Sequence, residues 1–331
     1  MPMINSPVES LFGIIDETAT LLQEELACSY LEAVAETGEN LFQGDVLQEE
    51  VSELTKKRLN KKYDEVSLSQ LENENIRKAF QFAILKGMKE NVQPNHQMTP
   101  DSLGLFISYL VNKFTRGMDK LTILDPAIGT GNLLTTVLNQ MPGKETQSIG
   151  VEIDEVLIKL AYVGADLQKH PLQLFNQDSI EPLFIDPVDL VLCDLPIGYY
   201  PNDLRAQDYE LKAEEGHSYA HHLFMEQSLK HTKDGGYLFF IVPNGLFESP
   251  YSTQLQTYLK EKADIQGFLQ LPLSLFKNKN SAKSILVLQK KKEGLQPPKE
   301  VLLAQLPSLS NQRALQDIMS KIDQWLAQNK Q

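Results

Sequence analysis

Four carboxylates, Asp125, Glu152, Asp178 and Asp194, each stand at or near the end of a short β-like run: LTILD (121–125), QSIGVEID (147–154), PLQLFNQD (171–178) and VDLVLCD (188–194). Carboxylates brought to one edge in this way can accept hydrogen bonds from hydroxyl and amino groups and can face a cation. After the first comes Asp125-Pro126-Ala127-Ile128-Gly129-Thr130-Gly131-Asn132. Its glycines let the backbone approach a ligand closely, and the helix start that follows favours a negative group. The loop lacks GK[ST], so it is not a phosphate-cradling P-loop. Leu134 stands where a dinucleotide fingerprint would carry its third glycine. Glu152 lies about 20 positions beyond these glycines, where an acid can accept from ribose hydroxyls. Together the set describes a site for a nucleoside-bearing ligand with a cationic group, not for a pyrophosphate. Asp194 is followed by Leu195-Pro196-Ile197-Gly198-Tyr199-Tyr200, a polar side chain beside a proline with two aromatic rings close by.

Alternating elements must position these residues. Further strand-like runs occur at GYLFFIVP (236–243), DIQGFLQL (264–271) and KSILVLQ (283–289), with amphipathic helical patterns between most of them. Such alternation predicts a mainly parallel sheet covered by helices, with ligands beyond the carboxyl ends of its strands. Residues 1–95 read as helices instead, with Leu11, Ile14, Ile15, Leu22 and Leu26 near the helical period. Ser69 and Glu72 have capping-box spacing for a helix carrying Ile76, Phe80 and Ile84. The stretch VQPNHQMTPDS breaks the pattern, and Thr99-Pro100-Asp101 predicts a new helix with Thr99 as its N-cap. A polar linker over 290–300 precedes a strand-like VLLAQL and a final helix.

The motifs QMTP, DPAIGTGN, GVEID, NQDS and DLPIGYY, with the later DGGYLFFIVPNGLF and LPLSLFKNKNSAKSILVLQK, occur in this order. In this set the chain resembles the class I S-adenosylmethionine-dependent methyltransferases. It is most similar to the N6-adenine DNA methylases related to type I restriction-modification M subunits, and to their small stand-alone YtxK-like group. The resemblance covers about residues 96–305. It implies a Rossmann-like α/β fold with a mainly seven-stranded sheet, an all-helical N-terminal domain (1–95) and a C-terminal helix over 306–331. It implies S-adenosylmethionine as cofactor, with Thr99, Asp125, Ala127, Gly129, Gly131 and Asn132 around the methionine part and Asp125 toward its ammonium. Glu152 would take the ribose, Ile153 the face of the adenine, and Asp178 with Ser179 the adenine edge. In the family's fourth-strand loop, Asp/Asn/Ser-Pro-Pro-aromatic, the first side chain and the second carbonyl hold the target amino group. The aromatic stacks on a flipped-out adenine. Here Asp194 and Pro196 match, Leu195 replaces a proline, and Ile197 replaces the aromatic. Tyr199 or Tyr200 is the candidate replacement for the lost stacking face, against a plain packing role.

The expected function is methyl transfer to an exocyclic amino nitrogen, adenine N6 of DNA or RNA. Two alternatives stay open: a cofactor-binding interaction protein with degenerate catalysis, and a methyltransferase of protein or another nitrogen substrate. A nicotinamide dehydrogenase is disfavoured by Leu134 and Asp125. The net charge of −13, with no Lys or Arg in residues 1–50, counts against a stand-alone DNA binder. No segment reads as a target-recognition domain. A protein partner or a second copy meeting the helical N-terminus is the alternative source of specificity. Cys28 and Cys193 lack metal or disulfide spacing, and no run approaches a membrane span, so a cytoplasmic protein is expected. His217 and His221 are four apart beside His222, but without a third ligand they read as surface or loop-facing residues, not a metal site. Lys277, Lys279, Lys283 and Lys290–Lys292 read as solvated charge, with phosphate contact as the alternative.

Overall fold

The computed structural model describes residues 6–90, 98–276 and 278–329. The expected helix break over 92–97, Gln97 of QMTP and Lys277 lie outside these. In chain order the elements are α1 (Pro7–Leu26), α2 (Tyr30–Gln43), α3 (Glu53–Tyr63), α4 (Asn73–Glu90), α5 (Asp101–Phe114), β1 (Lys120–Asp125), α6 (Asn132–Asn139) and β2 (Glu145–Glu152). There follow α7 (Glu155–Leu167), β3 (Leu172–Asn176), β4 (Val188–Asp194), α8 (Asp203–Ala206), α9 (Ala220–Lys230) and β5 (Thr232–Pro243). The last are α10 (Ser252–Lys262), β6 (Ala263–Gln270), β7 (Lys283–Lys290), β8 (Leu302–Gln305) and α11 (Gln312–Asn329).

The sheet has the order β3-β2-β1-β4-β5-β7-β6-β8. β1 runs parallel to β2 and β4, and β4 parallel to β5, while β7 is antiparallel to both β5 and β6. This is the Rossmann-like class I methyltransferase fold that the motifs implied. The sheet holds eight strands where seven were expected, because VLLAQL pairs in parallel with β6 and satisfies what would otherwise be an open edge.

The chain forms two compact units. One comprises Met1–Met98, Ile128–Pro142 and Glu152–Asn176. Its core joins Leu11, Ile15, Leu22, Val34, Phe80 and Ile84 of the first helices to Leu157, Leu160, Val163 and Leu167 of α7. Ser6 and Ser29 begin α1 and α2 with capping boxes closed by Glu9 and Glu32. The box expected at Ser69 and Glu72 does not form. Leu68–Gln70 is a 3₁₀ turn, and α4 starts after Glu72, whose carbonyl accepts from the Ile76 amide.

The other unit comprises Thr99–Ala127, Gly143–Val151 and Gln177–Gln331. Ile123, Leu124, Leu190, Val191, Leu192, Phe239, Phe240, Leu286 and Leu288 are fully buried along its central strands. On α5, Phe114 packs against Tyr237, Phe239 and Trp325, and Lys113 pairs with Asp323 of α11 at 2.6 Å. No helix among the described residues is long and apolar enough to cross a membrane.

Candidate active site

In the first unit the loop that follows β1 turns back on itself at Gly129 (φ 56°) and Gly131 (φ 76°), conformations that L side chains rarely adopt. A side chain at Gly129 would meet nothing within 4 Å, so open space lies beside this turn. The Gly129 amide donates to Glu152 Oε2 at 3.0 Å, and the Ile153 and Asp154 amides donate to Oε1 at 2.9 and 3.0 Å. Three fixed donors lock the carboxylate and leave lone pairs for a ligand's hydroxyls. Asn176 donates from its side chain to the Glu152 and Ile153 carbonyls, pinning that turn. Ile153 itself is 67% exposed, a large apolar face with no cover. Asn132 is buried and accepts from Arg77 at 2.6 Å, and Arg77 is fork-paired to Glu74. Arg77 was not singled out from sequence, because it sits in a helix whose pattern shows only packing.

In the second unit Asp125 is buried and accepts from the Ala127 amide at 3.1 Å. The Ser179 hydroxyl is spent on the Pro126 carbonyl. Asp178 Oδ1 accepts from the Ile180 amide at 2.9 Å, and Oδ2 accepts from the Tyr200 hydroxyl at 2.6 Å. Tyr200 is buried beside Ile180, Tyr209 and Leu223, so its ring is not a free stacking face. Burial and this bond to Asp178 push its phenol well above the usual range.

Asp194 ends β4 with both oxygens engaged. Lys283 Nζ donates to Oδ1 at 2.6 Å, and Thr99 Oγ1 donates to Oδ2 at 3.1 Å. Pro100, not Thr99, precedes the first turn of α5, because the Thr99 hydroxyl turns toward Asp194 and leaves the helix end without a side-chain cap. Lys283 is likewise not the solvated charge expected of it. It opens the reversed strand β7 opposite Pro243, two residues past Ile241, which pairs with Asp194 across β4 and β5. An antiparallel strand delivers its first residue to the edge where parallel strands end. Spacing in the sequence carries no sign of that.

Beyond Asp194, Leu195 is buried and its amide donates to the Ile241 carbonyl at 3.2 Å; Pro196 is half-buried. Ile197 and Tyr199 are exposed, at 49% and 63%. Tyr199 stacks on Tyr219 with ring centroids 5.2 Å apart and planes 13° from parallel. His217 lies ahead of α9, exposed and bonded to Asp203, so it does not share a helix with His221. His221 and His222 are buried, not surface or loop-facing, and packed against Tyr219. Burial holds His221 down at about 4; burial and then its neighbour hold His222 at about 3. No cluster of three potential metal-ligating side chains forms among the described residues. Cys193 is buried, and burial followed by Asp125 and Asp194 raises its thiol, so it is no nucleophile.

This sheet order is that of an S-adenosylmethionine-dependent methyltransferase. Residues 90–324 match the N-6 DNA Methylase family and residues 9–88 the YtxK N-terminal helical domain, and the chain belongs to that methylase family. It is 55% identical to the uncharacterized protein YtxK of Bacillus subtilis (strain 168) over 98% of both chains. A crystal structure of a candidate class I S-adenosylmethionine-dependent methyltransferase from Listeria monocytogenes is 47% identical. It covers 96% of this chain and 98% of its own, with a TM-score of 0.90. The type I restriction-modification methyltransferase subunit of Streptococcus thermophilus shares the fold at 16% identity, with a TM-score of 0.67 over 96% of this chain and 74% of that one. S-adenosylmethionine is the cofactor this fold and family imply.

Proposed function

We propose that this protein methylates an exocyclic amino nitrogen, adenine N6 of DNA or RNA, in the cytoplasm. The observation that carries this reading is Asp194, fixed at the end of β4 by Thr99 and Lys283, with the exposed Tyr199, stacked on a half-buried Tyr219, following in the same unit. The open space beside Gly129, the locked Glu152 and the bare Ile153 side chain fit a nucleoside cofactor. That cofactor supplies an electrophilic sulfonium methyl. In this reading Glu152 holds its ribose, Ile153 its adenine face, Asp178 the adenine edge and Ser179 the neighbouring turn. Thr99, Asp125, Ala127, Gly129, Gly131 and Asn132 surround the amino-acid end.

Asp194 and the Leu195 carbonyl then accept from the two N–H groups of the target. This draws the nitrogen lone pair out of conjugation and orients it, and orientation with fixed electrostatics is the main contribution to rate. As the N–C bond forms, the bond from sulfur to the methyl would break and leave the cofactor as a neutral thioether; the nitrogen, cationic on attack, would release one proton to water, with the Asp194 carboxylate stabilising the passing charge. Tyr199, backed by Tyr219, supplies the flat face that Ile197 lacks, a contact worth about 1–3 kcal/mol per base. The domain division at 95/96 and 305/306, and pairing with a second copy or a protein partner through α1–α4, belong to the same proposal.

Ile197 favours one competing reading, a cofactor-binding protein without turnover. Purified protein titrated with S-adenosylmethionine in a calorimeter is expected to give a saturable binding heat; none would remove the proposal. Labelled cofactor is next given with unmethylated DNA, with RNA, and with cell extract. Label in adenine supports the proposal, label in protein redirects it to another nitrogen acceptor, and binding without transfer supports the competing reading.

A further inference from the structure

The carboxylate that faces the acceptor does not stand alone. Asp194 and Lys283 form a pair at 2.6 Å whose side chains are only 22% and 20% exposed, and Thr99 takes the second oxygen. The strands that carry this pair are also held by their own ladders. β7 is already fixed to β5 by seven paired residues, and β5 to β4 by its own ladder. The lysine adds a cation within hydrogen-bond distance of the group that must grip the incoming nitrogen.

We infer that Lys283 is a positioning and specificity-determining residue that neutralises Asp194, so that the site accepts an uncharged amino nitrogen and rejects an ammonium. The inference rests on the reading of Asp194 as the acceptor-facing carboxylate, and deepens it. A cationic amine would have to displace Lys283 or sit beside a like charge, which is unfavourable at this range. An uncharged amide or ring amino group brings N–H donors without a charge, and each carboxylate oxygen keeps a second lone pair for them. Carboxylate, ammonium and hydroxyl also hold one another in place, so the gripping oxygens are aimed before substrate arrives.

The test compares two ligands by calorimetry. S-adenosylhomocysteine carries no charge at the transfer position. Sinefungin carries an amine there, protonated at neutral pH, aimed where the acceptor nitrogen would lie. In Lys283→Met, Asp194 is released to pair with that ammonium, and sinefungin should gain about tenfold or more over S-adenosylhomocysteine relative to the unsubstituted protein. Lys283→Arg, which keeps the cation, should leave the ratio where it was. Asp194→Asn, which leaves Lys283 unbalanced, should move the ratio about tenfold the other way and covers the case in which Lys283→Met fails to fold. If both ligands bind and neither substitution moves the ratio, Lys283 does not set the charge of the site and the inference is overturned. If neither ligand binds the unsubstituted protein, the cofactor site itself has been misread and the inference falls with it.

Discussion

Asp194 has three jobs in the proposed chemistry: it accepts from the target, from Thr99 and from Lys283. Asp194→Ala is expected to lower methyl transfer by about 10²–10³-fold or more while cofactor binding in the calorimeter survives. Retained transfer would remove Asp194 from catalysis. The acid itself was legible in the sequence because it ends an apolar run. Its partners were not. Thr99 looked like a helix cap and Lys283 like surface charge, since each reaches Asp194 only through the fold, across 95 and 89 positions of chain. Tyr200 was offered as a stacking ring from its type, and burial turns it instead into a hydrogen-bond donor that holds Asp178.

Element packing depends on close approaches that single residues permit. A methyl group at Gly38 of α2 would lie 2.4 Å from Val163 Cγ1 on α7, and 3.1 Å from the Phe80 ring. Gly38→Ala would gain up to about 1 kcal/mol in helix propensity. Val163 is 2% exposed and β-branched, so it has little room to move, and overpacking should win. The expected net effect is a loss of about 1–3 kcal/mol, read as a lower urea midpoint with an unchanged slope. An unchanged or higher midpoint would show that α7 can yield. Helices were readable from period because each buries one face, and the central strands from short apolar runs because both of their faces are covered. The Ser69–Glu72 capping box was not, because the chain before α4 takes a 3₁₀ turn that moves the helix start to Asn73. The eighth strand was visible only as VLLAQL, since its place beside β6 depends on which edge needed a partner.

For the whole molecule, folding carries two buried neutral histidines. His221 and His222 titrate near 4 and 3 when folded, against about 6.5 in the unfolded chain. Both are depressed, so their stabilising contribution is full above about pH 6.5. It is lost as the unfolded chain takes up protons between there and pH 4 or 3. By pH 5 each costs on the order of 2 kcal/mol. His222→Gln should therefore lose less stability than the unsubstituted protein between pH 7.5 and 5 in matched urea titrations. Parallel losses would place the acid sensitivity elsewhere. Net charge was available from composition, but the burial of these histidines was not, because it depends on tertiary packing such as their contacts with Tyr219.

The reversed direction of β7 also bears on how this architecture can diversify. Lys283 is the first residue of its strand, and its depth is set by the ladder running from it to Gln289. The chain before it carries two short 3₁₀ turns, Leu273–Leu275 and Lys279–Ser281. Residues added there lengthen the approach without shifting the lysine, much as a longer handle leaves the key unchanged. A segment inserted there would leave in place the Asp194–Lys283 pair, to which the proposal assigns the incoming nitrogen.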